Sequence, residues 1–266
     1  MGIRLSKSQL DKFVDCPRCF WLAQRHKLRQ PDMISSKVWK GVERVTVAHY
    51  EGHRKAKTTP DNLIGQVPAG AIPVQLDETA MKALRYWGKG LAFNVGDVLV
   101  TTALDDMLQI PDGSQPNGSR YAVIDYKSKA KLTDEESTAQ MYQNQADVFD
   151  LACNVNGYPT DGTVYFDYWS PVSVDGAEPP ENAGDTGFTL QSWASQVIAI
   201  KADHVRIKAL ILAAAACIES AMPEPRLTRS TVTRGANKGE ERVDGCPVCC
   251  YLMDREELMA ALVVEA

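Results

Sequence analysis

The sequence predicts a mixed α/β (α+β) protein: one central mixed sheet flanked by helices, with the two ends of the chain joined by cysteines. Three observations predict it. Helical and strand-like patterns alternate in the order αα–βββ–α–β–β–α, which a sheet covered by helices accommodates. The run PDGSQPNGS (111–119) is dense turn chemistry between two apolar runs, the signature of an antiparallel hairpin or meander. The tetrapeptide Cys-Pro-x-Cys occurs at 16–19 and again at 246–249, near opposite ends of the 266 residues.

The elements follow in order. Ser6 opens a helix with Leu10, Phe13 and Val14 on one face, and Gln9 stands where a capping-box partner belongs. Pro17 interrupts it, and a second helical stretch runs through Phe20–His26. Residues 34–56 are helical in pattern and rich in charge. Residues 57–78 hold three prolines and read as loop, before a short helix around Met81–Trp87. GDVLVTTALDDMLQI (96–110) reads as a strand that bends or pairs on itself, and YAVIDYKS (121–128) is the strand after the turn. A helix spans about Asp134 to Asn156, and Gly157-Tyr158-Pro159 stops it. VYFDYW (164–169) and SWASQVIAIK (192–201) are strands, and Asp203 to about Ala221 is a helix. Residues 223–245 read as loop, and a short helix follows the last cysteines. The expectation is one domain over 1–266, with a helical region at 1–57, a core at 96–170 and a cysteine segment at 223–266.

Composition excludes some classes. Hydrophobic content is 44% and charged content 24%, ordinary for a globular domain. The longest apolar run, Ala209–Ile218, is about half of what a membrane span needs, so no membrane partner is expected. The start lacks the apolar core of a signal peptide, so the expected location is intracellular, in the cytoplasm. Gly2 and Ser6 also fit the loose myristoylation pattern, although the cap accounts for Ser6. Net charge is −5, but residues 1–57 carry 13 Lys/Arg against five acids, leaving −13 for the rest. A basic N-terminal region on an acidic body suits a local phosphate-binding surface; solvated helix faces give the same count.

The strand YAVIDYKS carries an acid and a base inside an apolar run. With period two, Tyr121, Val123, Asp125 and Lys127 share one face, and Ala122, Ile124 and Tyr126 the other. If this strand pairs with 96–110 through the turn, a carboxylate of the Asp105-Asp106 pair meets Asp125. Carboxylates brought together repel unless a cation or a shared proton relieves them. One or two carboxylates with open positions suit Mg²⁺. Lys127 points to the same place as a point charge for a phosphate oxygen or a water.

Seven cysteines in a chain without a secretion signal argue against a disulfide framework. Cys153 and Cys217 sit among apolar neighbours as small core residues. Cys16, Cys19, Cys246 and Cys249 form two knuckles that together complete a tetrathiolate site, with Cys250 as a spare or a substitute for Cys249.

Together these segments resemble the PD-(D/E)XK nucleases. Asp105 stands as the lone acid, Asp125-Tyr126-Lys127 as the Asp-x-Lys triplet, and YQNQADVF (142–149) is similar to the Gln-x-x-x-aromatic helix of RecB-like members, with Gln145 and Phe149 at the matching positions. LSKSQLDKFVDCPRCFWL (5–22) is similar to the N-terminal stretch of RecB-like nucleases that carry an iron–sulfur cluster, among them the CRISPR-associated adaptation exonucleases. The resemblance covers 5–26, 98–170 and 205–252.

It implies a restriction-endonuclease-like core and a deoxyribonuclease, an exonuclease on single strands or DNA ends. It implies Mg²⁺ or Mn²⁺ held by Asp105, Asp125 and the carbonyl of Tyr126, with Lys127 catalytic and Gln145 in contact with DNA. It also implies a 4Fe-4S cluster on the four cysteines and protein partners from recombination, repair or CRISPR adaptation. The chain departs from the family in three places. Its cysteines divide two and two rather than one and three, which makes Zn²⁺ the alternative. Thr102 stands where a glycine often precedes the lone acid. The upstream helix, which in the family supplies a further metal ligand, offers His49, Glu43 and Glu51. Two other readings compete: a non-catalytic nucleic-acid-binding or assembly module whose four cysteines tie the termini, and a zinc-stabilised scaffold whose charges at 105–127 are surface salt bridges.

Overall fold

A computed structural model of the chain describes residues 2–28, 37–86, 88, 90–129, 134–171, 193–225, 227–231, 241–246 and 249. Cys250, Arg29 and the expected C-terminal helix lie outside them. The chain divides into two compact units, one of residues 1–33, 94–100 and 208–266, the other of 34–93 and 101–207.

The described elements begin with β1 (Arg4–Ser6), α1 (Lys7–Asp15), α2 (Pro17–His26) and α3 (Lys37–Ala56). Next come β2 (Ile72–Pro73), α4 (Glu78–Arg85), β3 (Leu91–Val95), β4 (Val98–Thr102), β5 (Asp106–Pro111) and β6 (Ser119–Ser128). The remainder are α5 (Glu135–Val155), β7 (Thr160–Pro171), β8 (Trp193–Lys201), α6 (His204–Glu219), β9 (Leu227–Thr231) and β10 (Glu241–Gly245). None of the described helices is long and apolar enough to cross a membrane.

Local chemistry sets the boundaries. Gln9 Oε1 accepts the Ser6 N–H at 2.7 Å, one half of the expected capping box. Pro17 opens α2 at the position where a missing N–H costs nothing. The Asp134 carboxylate accepts the Ser137 N–H at 2.8 Å and caps α5, and Gly157, at φ +84°, lets the chain leave that helix. In the 111–119 turn, Asp112 and Asn117 accept the N–H groups of Ser114 and Ser119, side chain to backbone two residues on.

The larger sheet runs β2-β5-β6-β7-β8. β5 and β6 pair antiparallel, with Asp106 opposite Ile124. β6 and β7 pair parallel, with Tyr126 opposite Asp167, and α5 is the crossover between them. β7 and β8 return antiparallel. Helix α3 supplies Tyr50 to one face, where it packs with Leu108, Ile110, Ala122, Ile124, Tyr126 and Tyr165. Helix α5 covers the other face, with Ala146, Val148, Phe149 and Cys153 buried. The mixed sheet flanked by helices agrees with the expectation. A second sheet runs β1-β4-β3, and β9 and β10 pair with each other.

Five of the described strands fall where the sequence suggested none. β2 occupies two residues of the proline-rich loop. β1 and β3 are short, and β1 takes its partner from a distant stretch. The β9–β10 hairpin replaces the expected loop at 223–245.

Candidate functional site

Residues 103–105 break the run between β4 and β5, so Asp105 stands just ahead of the first residue of β5. Its Oδ2 accepts the Tyr126 N–H at 3.0 Å. The N–H and C=O of one strand residue project to the same edge, so the Tyr126 carbonyl lies on the edge that faces β5. Asp125, on β6, is buried. Its Oδ1 accepts from Gln145 Nε2 at 2.6 Å, and the Lys127 ammonium pairs with its Oδ2. Lys127 also reaches Gln145 Oε1 at 3.5 Å. Gln145, one face of α5, thus bridges the acid and the base.

The electrostatics follow from this crowding. Burial, then the charge of Asp125, pushes Asp105 up to about 7, against the Tyr126 N–H and Lys127, which act the other way. Burial alone would lower Lys127, but the adjacent Asp125 carries it above its ordinary value. The two carboxylates therefore hold more negative charge than their surroundings stabilise. A cation between Asp105 and Asp125 would remove that excess.

His49 does not join the carboxylates. Its Nε2 lies 3.3 Å from Asn62 Oδ1, and its ring meets those of Tyr50, His53 and Trp169 edge-on. Glu51 is taken up by Arg54 and Arg85. Of the three acids and histidines weighed on α3, Glu43 is the one whose charge raises Asp105. Gln145, expected against DNA, is buried and donates its amide to Asp125.

Asp106, the neighbour of Asp105, faces the other way and is fully buried. Its Oδ2 accepts from Arg54 at 2.5 Å, Arg85 at 3.0 Å and the Tyr126 hydroxyl at 2.8 Å. Sequence reasoning also missed Asp167 on β7, fully buried, which accepts from Tyr50 Oη at 2.8 Å, Trp169 Nε1 at 2.7 Å and Asn62. The signal was present: VYFDYW interrupts an apolar strand with an acid, as YAVIDYKS does.

In the other unit, Cys16, Cys19, Cys246 and Cys249 come together, their sulfurs all within 4.8 Å of one another. Separations are 3.6 Å for Cys16–Cys249, 3.4 Å for Cys19–Cys246 and 3.6 Å for Cys19–Cys249, too long for disulfides. The Cys19 N–H points at Cys16 Sγ at 3.5 Å, the local geometry of a knuckle. Burial and then the neighbouring sulfurs raise Cys19 far above an ordinary thiol, and burial pushes Cys249 up to about 12. As thiolates these four sulfurs could hold a metal such as Zn²⁺ or an iron–sulfur cluster. Among the described residues this is the group of three or more ligating side chains with all donor atoms so close.

No family model matches the chain, and a search of curated proteins finds no match.

Proposed function

We propose that this protein is a Mg²⁺- or Mn²⁺-dependent deoxyribonuclease of the PD-(D/E)XK kind, acting on single strands or DNA ends. The observation that carries the proposal is the convergence of Asp105, Asp125 and Lys127 about Tyr126, with Asp105 raised by burial and then by its neighbour's charge. The strand order supports it too, because β5, β6 and β7 with the α5 crossover bring these residues together as a restriction-endonuclease-like core would. Asp105, Asp125 and the Tyr126 carbonyl would hold the metal, which when bound polarises a phosphate and lowers the pKa of a water. Lys127 orients that water and stabilises negative charge growing on the phosphate. Gln145 fixes the positions of Asp125 and Lys127 through one amide. In-line attack leaves a 5′-phosphate and a 3′-hydroxyl.

On the four cysteines we favour Zn²⁺ over a 4Fe-4S cluster. A tetrahedron with Zn–S bonds of about 2.3 Å has edges of about 3.8 Å, close to the 3.4–3.6 Å separations here. A four-iron cluster interposes a cube of iron and sulfide and holds its cysteines farther apart.

The direct Lys127–Asp125 pair supports a second reading, a nucleic-acid-binding or assembly module in which the two charges neutralise each other. Incubation of end-labelled single- and double-stranded DNA with Mg²⁺, Mn²⁺ or EDTA separates the two. Nuclease action requires cleavage that EDTA stops and that Asp105→Ala, Asp125→Ala and Lys127→Ala each abolish. Full activity in either aspartate variant defeats the assignment.

A further inference from the structure

Beside Lys127 lies a second cation with no role in the chemistry above. Lys129, just past the end of β6 but with its N–H still donated to the Trp169 carbonyl of β7 at 3.1 Å, has its ammonium 5.1 Å from the Tyr168 ring centroid and 5.9 Å from that of Tyr142. Lys127 stands 4.8 Å from the same Tyr142 ring. One partly exposed tyrosine therefore lies between two lysines. Among the described residues no carboxylate pairs with Lys129, whereas Lys127 is held by Asp125. The floor beneath is built: Tyr168 and Thr138 are fully buried, and among the described residues their hydroxyls have no hydrogen-bond partner. Phe166 and Tyr168 fix the Tyr142 ring from below, with centroids at 5.2 Å and 6.4 Å.

Same-face residues of a strand repeat every ~6.6 Å, a spacing comparable to that of neighbouring phosphates along an extended nucleotide chain. An aromatic ring between two such cations is the arrangement that single-stranded nucleic acids engage, with backbone charge on the lysines and a base on the ring.

We infer that Lys129 and Tyr142 form a nucleotide subsite, Lys129 binding the phosphate next to the one at Lys127 and Tyr142 stacking the base between them. This rests on the nuclease reading for the direction of the strand, but binding itself can be read without cleavage. The subsite prefers a single strand, because a paired base cannot present its face to Tyr142. It makes Lys129 and Tyr142 residues of substrate binding rather than of chemistry.

The test uses the full-length protein and fluorescein-labelled oligothymidylate in EDTA, with binding followed by anisotropy over a range of salt. Lys129→Gln is expected to reduce the slope of log K against log salt by about 0.7, the share of one phosphate on a single strand. Tyr142→Leu keeps an apolar side chain on the floor and is expected to weaken binding about tenfold, with an unchanged salt slope. Lys82→Gln, at an exposed lysine paired with Glu78, is expected to match the parent. With Mn²⁺, the parent and Lys82→Gln are expected to hydrolyse both bis(p-nitrophenyl) phosphate and the oligonucleotide alike, while KM for the oligonucleotide rises in Lys129→Gln and Tyr142→Leu. An unchanged salt slope in Lys129→Gln, or a parent that does not bind the oligonucleotide, overturns the subsite. A parent that binds with the expected variant pattern but cleaves neither substrate leaves the subsite standing and removes the nuclease reading.

Discussion

Asp105 is the residue on which charge, burial and function meet. Its carboxyl titrates near 7 in the folded protein, against an ordinary value of about 3.9. The folded state therefore holds this proton more tightly than the unfolded state does. Stability from this group is full below about pH 4 and is lost as pH rises through about 7, in protein free of divalent metal. Asp105→Asn keeps an acceptor for the Tyr126 N–H and removes the repulsion. In EDTA at pH 8 it is expected to stabilise the fold by about 1 kcal/mol, discounted for partial exposure, or a few degrees in Tm, while cleavage is lost. Added Mn²⁺ should raise the Tm of the parent and not of the variant. A variant that melts at or below the parent in EDTA would show that the two carboxylates are not in conflict. This part of the site was legible: period-two alternation places Asp125 with Lys127, and the turn chemistry aims Asp105 at them. The positions of Gln145 and His49 were not, because a single glutamine or histidine on an amphipathic helix gives no sign of which face it takes.

At the scale of elements, Asp106 shows how adjacency in sequence misleads. The alternation correctly turns it away from Asp105, which suggests an inert neighbour and a convenient control substitution. Instead it joins four elements: Arg54 of α3, Arg85 of α4, its own strand β5 and the Tyr126 hydroxyl of β6. Its partners lie 52, 21 and 20 residues away, so no local pattern announces them. Removing one side of a buried ion pair strands the other, at a cost of about 3–5 kcal/mol. Asp106→Ala is thus expected to lower the unfolding free energy by that amount, read as a lower urea midpoint with an unchanged m-value, and activity should fall only in step with the folded fraction. A neutral Asp106→Ala would mean that Arg54 and Arg85 find water or Glu51 instead. The same non-locality hid the short strands. β1, with three residues, and β2, with two, exist because β4 and β5 offer them edges, and isolated runs of that length have no stable conformation of their own. The β9–β10 hairpin was read as loop because its strands, LTRST and ERVDG, carry no apolar alternation.

For the molecule as a whole, charge and metal decide different things. Arg25 and Lys27, both exposed, belong to the basic first 57 residues. If that region holds the DNA backbone, their reversal to Glu should weaken binding to every sequence alike, and steeply so at low salt, while reversal of exposed Lys208 has little effect. Filter binding in EDTA at several salt concentrations reads this, and equal sensitivity at Lys208 would misplace the face. The four cysteines were the most legible long-range feature, since a repeated Cys-Pro-x-Cys at both ends has few explanations other than one shared site. Their unit consists of three separate stretches of chain, and the sulfurs join the first to the last, with Cys19 and Cys249 lying 230 residues apart. Closing so long a loop restricts the unfolded chain severely, although the cost grows only with the logarithm of length. A structural zinc site contributes its binding energy directly to folding, about 10 kcal/mol or more near neutral pH. The raised thiols at Cys19 and Cys249 mean that metal entry must displace protons, so mild acid should release the metal. Elemental analysis is expected to find one zinc per chain in a colourless protein. Cys16→Ser and Cys246→Ser should each lose zinc, melt lower and aggregate. A brown, iron-containing protein would contradict the single-ion geometry, and serine variants that melt like the parent would show that the sulfurs gather without holding the fold together.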